Sequence, residues 1–80
     1  MVDKMKYNQD EDKIEWEAVP SAEEYEIKWG NENRDEWKTL YKGLNNFTPP
    51  IEKGSIITRG RVRRIGGWGH FGPPNNLMLR

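Results

Sequence analysis

The chain has no cysteine, which removes disulfide frameworks, thiolate metal sites and thiol nucleophiles together. It has one histidine, His70, and two serines, Ser21 and Ser55. Both serines sit in turn-like contexts, so a Ser/His/acid nucleophile lacks its parts. A metal site would need His70 with distant carboxylates, and no ligand spacing supports one. Long apolar runs are missing too. Nothing approaches the roughly 18 consecutive apolar residues of a membrane span. The stretch Met1-Val2-Asp3-Lys4-Met5-Lys6 is not followed by the apolar segment of a signal peptide. These absences lead us to expect a non-enzymatic chain with no cofactor or metal, made in a cytoplasm and neither secreted nor membrane-bound. The sequon Asn46-Phe47-Thr48 is then expected to go unused.

Aliphatic bulk is also scarce. Leu, Ile, Val and Phe total 15 of 80 residues, while 32% are charged, a balance close to that of disordered chains. A chain of this size buries only roughly 60% of the surface its unfolded form exposes. Two features argue for folding. The net charge is zero, and there are four Trp and three Tyr, each able to bury about 150–250 Å². The expectation is one thin-cored domain over residues 1–80, able to borrow stability from neighbours.

Zero net charge hides a polarised chain. Residues 1–40 hold 12 acids and 6 bases, whereas residues 41–80 hold 1 acid, Glu52, and 7 bases. Either the halves neutralise each other within one sheet structure, or opposite faces attract a charged partner or further copies head to tail.

The hydrophobic period is that of β-strands. Ile14-Glu15-Trp16-Glu17-Ala18 alternates apolar and acidic residues, and Tyr25-Glu26-Ile27-Lys28-Trp29 alternates apolar and charged ones, both with period 2. Trp16, Tyr25, Ile27 and Trp29 are therefore expected in the core. Val19-Pro20-Ser21-Ala22 reads as a turn, and residues 30–35 as a polar loop. Trp37 to Tyr41 is a further strand. Phe47-Thr48 is a short one ended by Pro49-Pro50, which only an edge tolerates. Ile56 to Ile65 is a long basic strand, residues 66–74 form a Gly-rich loop, and Leu77-Met78-Leu79 closes the sheet. Lys4 to Tyr7 supply a first edge strand, unless residues 1–12 form a flexible arm. No stretch carries a helix pattern. The fold class expected is an all-β sandwich of about seven short antiparallel strands.

Over about residues 13–75 the chain resembles a fibronectin type III domain, of the immunoglobulin-like sandwich class. Ile14-x-Trp16 is similar to the strand B tryptophan of that family. Val19 to Ile27 resembles its B–C turn and strand C. Ile51-x-Lys53-Gly54-Ser55 is similar to the E–F corner, Arg61-Val62-Arg63 to the Arg-Val-Arg of strand F, and Gly69 to Pro74 to the approach to strand G. The resemblance implies a sandwich with strand F beside strand C. Two departures stand out. The family's corner tyrosine falls at Ile57, and Ile57 to Val62 is one residue longer than the family spacing. An extra residue flips alternate side chains, so a bulge is expected at or near Gly60, placing both Ile57 and Val62 in the core.

Several patterns could carry chemistry. Glu15 with Glu17, and Glu24 with Glu26, could be carboxylate pairs for acid–base work, but each lies on the polar side of an alternating strand. Gly67-x-Gly69-x-x-Gly72 matches a dinucleotide fingerprint, yet Pro73-Pro74 follows where a helix should hold the pyrophosphate. Arg59, Arg61, Arg63 and Arg64, with Trp68 and Phe71 behind them, suit phosphate contact with base stacking. The competing reading is a cross-strand ladder in which Arg61 and Arg63 face Glu24 and Glu26. The ladder is favoured, because zero net charge equips a chain poorly for nucleic acid.

The candidate partner contacts are Trp68, His70 and Phe71 in the Gly-rich loop, together with those four arginines. Exposed aromatics on a scaffolded loop are typical hot-spot material. Within that set Phe71 is read as folding back on the core and Trp68 as either a contact or a lid over the sandwich end. Bacteriophage virion proteins often carry modules of this family, so the resemblance implies a structural or adhesive virion protein, such as a capsid decoration, head–tail or tail component. Its partners would be shell or tail proteins, with self-association a further option. A carbohydrate-binding module stacking sugars on Trp68, Trp37 and Tyr41 is the alternative, and a nucleic-acid binder the third reading.

Overall fold

The computed structural model describes residues 2, 4–30, 37–51 and 55–78. Among them the structure is all β, with no helix: β1 (Lys6–Asn8), β2 (Lys13–Glu15), β3 (Glu24–Gly30), β4 (Trp37–Gly43), β5 (Ser55–Arg64), β6 (Gly67–Trp68) and β7 (Asn75–Met78). Among the described residues no helix is long and apolar enough to cross a membrane. Parts of three expected elements lie outside the described residues: loop residues 31–35, Lys53-Gly54 of the corner, and Leu79.

There are two antiparallel sheets. One pairs β1 with β2; the other runs β4-β3-β5-β6, with β7 also on β5. The small sheet gains a third row from Asn46 to Thr48. Trp16 N–H donates to Asn46 O, Thr48 N–H donates to Ile14 O, and Glu15 bridges Phe47. This is the short strand expected at Phe47-Thr48, reduced to a bridge. Thr48 is fully buried, and its Oγ1 accepts the Ile14 N–H at 3.1 Å. The Asn46 side chain donates to Trp16 O, so the sequon asparagine is engaged within the fold.

The core lies between the sheets. Ile14 and Trp16 pack from one side against Tyr25, Ile27 and Val62 from the other, with Val2 and Met5 added from the N-terminal segment. The Trp16 and Tyr25 rings meet edge to face, with centroids 5.5 Å apart. Trp29 is half-buried rather than fully enclosed. Within residues 4–12 the expected edge strand is β1, which begins two residues later than the alternation suggests.

The expected bulge at Gly60 is absent. Between Arg63 and Ile57, β5 pairs with β3 in unbroken register, so Val62 and Ile57 point to opposite faces. Ile57 is buried, but outside the core cluster. Gly60 has a different reason to be glycine. A Cβ there would meet Ile27 Cδ1 at 2.7 Å and Val2 Cβ at 3.0 Å, because Val2 bridges across to Gly60 and lies over it. The bulge falls in β4. Ile27 pairs with Tyr41 and Lys28 with Thr39, which leaves Leu40 as the extra residue. Consecutive residues Leu40 and Tyr41 can then both pack on the core, which strict alternation forbids.

Residues 19–22 form the expected turn, closed by Ala22 N–H to Val19 O. The Tyr25 hydroxyl accepts the Val19 N–H at 2.8 Å and ties the turn to the core. The expected Gly-rich loop is partly a hairpin: Ile65-Gly66 turns the chain and β6 returns along β5. Ile65, expected inside the strand, is instead at the turn.

Candidate docking surface

The outer face of the five-stranded sheet is built by alternation along β5. Arg59, Arg61 and Arg63 project on one side, while Thr58, Gly60 and Val62 face the core. The β3 register sets Glu24 opposite Arg63 and Glu26 opposite Arg61. The expected ladder is present. Arg61 reaches a single Glu26 oxygen through Nε and Nη2, each at 2.7 Å, and Arg63 holds Glu24 at 3.3 Å and Glu23 at 2.9 Å. Glu26 is thereby covered on an outward-facing position, with 8% of its side chain exposed. The acidic and basic halves of the chain neutralise each other along these rungs.

Three aromatic rings interleave with the arginines. The Arg61 guanidinium carbon lies 4.5 Å from the Trp68 centroid and 4.8 Å from that of Phe71. Arg59 lies 5.1 Å from Phe71 and 5.4 Å from Trp37. The order across the face is therefore Trp37, Arg59, Phe71, Arg61, Trp68, with Lys42 5.5 Å from the last ring. Each such contact contributes about 0.5–1 kcal/mol at an exposed site. Phe71 does not fold back on the core. Two hydrogen bonds, Gly69 N–H to Val62 O and Gly72 N–H to Gly60 O, clamp its segment along β5. Phe71 accordingly lies over the outer face. His70 is exposed beside it, and Arg64 is exposed at the strand end.

The structure thus gathers Arg59, Arg61, Arg63, Trp68 and Phe71 on one face and adds Trp37. Tyr41 lies on the other side of the sheet, its ring 6.1 Å from that of Trp16. The three aromatics proposed for sugar stacking therefore do not share a surface. The cations also occupy ring faces that a base or sugar would need.

Sequence reasoning missed a second feature. Leu44 and Ile65 are 66% and 96% exposed. Leu44 follows Gly43, which is opposite Tyr25, and Ile65 follows Arg64, at the end where Glu23 N–H bonds Arg63 O. Both tips lie at one end of the sheet beside the 19–22 turn, on strands about 10 Å apart on either side of β3. Only the placement of the turns reveals this, because each residue sits alone in a polar stretch. Among the described residues no three His, Asp or Glu side chains stand together as a metal site. The chain matches no protein-family model, no curated protein and no solved structure.

Proposed function

We propose that the chain is a non-enzymatic docking module of the fibronectin type III kind, a structural or adhesive component of a bacteriophage virion that attaches to a larger assembly. Support for the fold comes from β5 lying beside β3 with β4 and β7 outside them, the arrangement of strands C and F in that family. The observation that carries the docking reading is the pair of apolar tips, Leu44 and Ile65, exposed together at one end of the sheet. A small domain with few aliphatic residues gains by burying them against a partner. Behind them Arg63 pairs with Glu23 and Glu24.

The test is co-sedimentation of the native chain with particles from its source, with its copy number measured against the major shell protein. Copies comparable to the shell protein mean decoration, and a handful per particle means a tail, portal or fibre position. Absence from particles overturns the virion reading.

A further inference from the structure

Three rungs cross the outer face between β3 and β5, and one breaks the pattern. Glu24 faces Arg63 and Glu26 faces Arg61, whereas Lys28 faces Arg59. Like charges directly opposite each other destabilise a strand pair. The packing nonetheless holds both cations in place. Lys28 Nζ lies 5.6 Å from the Phe71 centroid and Arg59 lies 5.1 Å from it, with Trp37 on Arg59's other flank. Among the described residues neither cation has a carboxylate partner. Arg59 Nε is buried and lacks an acceptor there. Thr39, opposite Lys28 on β4, brings a hydroxyl to the same row.

We propose that this rung is a carboxylate-accepting site, completed by an acidic side chain from an extended segment of a partner protein. The inference rests on the docking reading and names the chemistry of one contact. Its warrant is the neighbouring rung. Arg61, on the same strand and stacked on the same Phe71, receives Glu26; at Arg59 the fold repeats the cation and the ring but supplies Lys28 where the acid would be. A local rule broken with no compensating carboxylate among the described residues marks a place where function is to be sought. A guanidinium fixed between rings is preorganised for a carboxylate, and the lysine adds a second charge. A protein acid suits the site better than a nucleic acid. Arg61 and Arg63 are already committed to Glu26, Glu24 and Glu23, so the tracking groove that a polyanion needs is missing. The flanking Trp37 and Phe71 rings offer apolar contact to the rest of a peptide.

The test titrates the isotope-labelled full chain with an end-capped four-glutamate peptide, using inorganic phosphate and a four-lysine peptide as comparators. Expected are saturable resonance shifts confined to Lys28, Arg59, Thr39 and the Trp37 indole, with a Kd on the order of 1 mM. Lys28→Glu, which supplies the acid within the chain, should raise the thermal midpoint and weaken the peptide at least about tenfold. Lys28→Met should weaken it without that rise. Absence of saturable shifts overturns the site, as does unchanged binding in Lys28→Glu. Equal binding of phosphate makes it a free-anion site and overturns the peptide assignment. Self-association that the peptide competes away makes a second copy the occupant and also overturns it. Particle docking that fails while this titration succeeds removes the assembly reading alone, so the two fail separately.

Discussion

Arg61 and Glu26 form the most enclosed ion pair described, with two guanidinium nitrogens at 2.7 Å from one carboxylate oxygen. Phe71 and Trp68 flank the guanidinium, which fixes it before the carboxylate arrives. Removing the cation strands a nearly buried acid, and that cost exceeds the worth of the pair itself. Arg61→Met should therefore destabilise the chain by about 2–4 kcal/mol, read by urea denaturation. The double variant Arg61→Met, Glu26→Gln should recover part of the loss, because the uncompensated charge is gone. Equal losses in the single and double variants would show that packing, not charge, holds this rung.

Val2 and Gly60 give a second prediction. The space that a β5 side chain would fill is taken by Val2, so the N-terminal segment is part of the core. Gly60→Ala forces Ile27 and Val2 aside and should cost about 1–3 kcal/mol. Val2→Ala removes buried methyl groups and should cost about 1–3 kcal/mol. Because the two residues touch, the double variant should be less damaging than the sum of the singles. Strict additivity in a double-mutant cycle would mean that the segment does not pack over Gly60.

How much of this was legible beforehand depends on whether a feature is local. Alternation placed Tyr25 and Ile27 inward, because successive side chains of a pleated strand point to opposite faces. That Arg61 and Arg63 face Glu24 and Glu26 followed from the resemblance, which sets strand F beside strand C, whereas the register alone assigns Arg61 to Glu26. Gly60 was misread because a strand glycine marks either a bulge or a close approach, and only the position of Val2, 58 residues away in sequence, decides between them. Leu40 gave no bulge signal, since β4 carries no glycine inside it. Phe71 went to the wrong face because two consecutive hydrogen bonds to β5 carbonyls set its side, and spacing alone does not encode them. The exposed Ile65 was hidden by a strand that ends one residue sooner than its apolar pattern.

Phe71 is the centre of the stack and the clearest test of what the aromatics contribute. Phe71→Leu keeps apolar bulk but removes the ring quadrupole beneath Arg59, Arg61 and Lys28. The expected loss is about 0.5–2 kcal/mol, with a larger loss for Phe71→Ala. Tryptophan emission should change as well, since Trp37 and Trp68 share its arginines. A Phe71→Leu variant with full stability would show that the stack is contact area alone.

Leu44 and Ile65 test the docking end without touching the core. Both are exposed and outside the core cluster, so Leu44→Ser and Ile65→Ser should each change folding stability by no more than about 0.5 kcal/mol. Against a partner the same changes remove apolar area that is buried on docking. Losing a well-packed anchor costs about 2 kcal/mol or more, whereas a peripheral contact costs far less. The double variant should therefore remain folded by denaturation and near-ultraviolet dichroism while its copy number on purified particles falls at least about tenfold. Asp10→Asn, exposed in the turn after β1, serves as the surface comparator and should leave copy number unchanged. A double variant that loads fully would move the contact off this end and onto the outer face, where Arg59 and Lys28 supply the next residues to change.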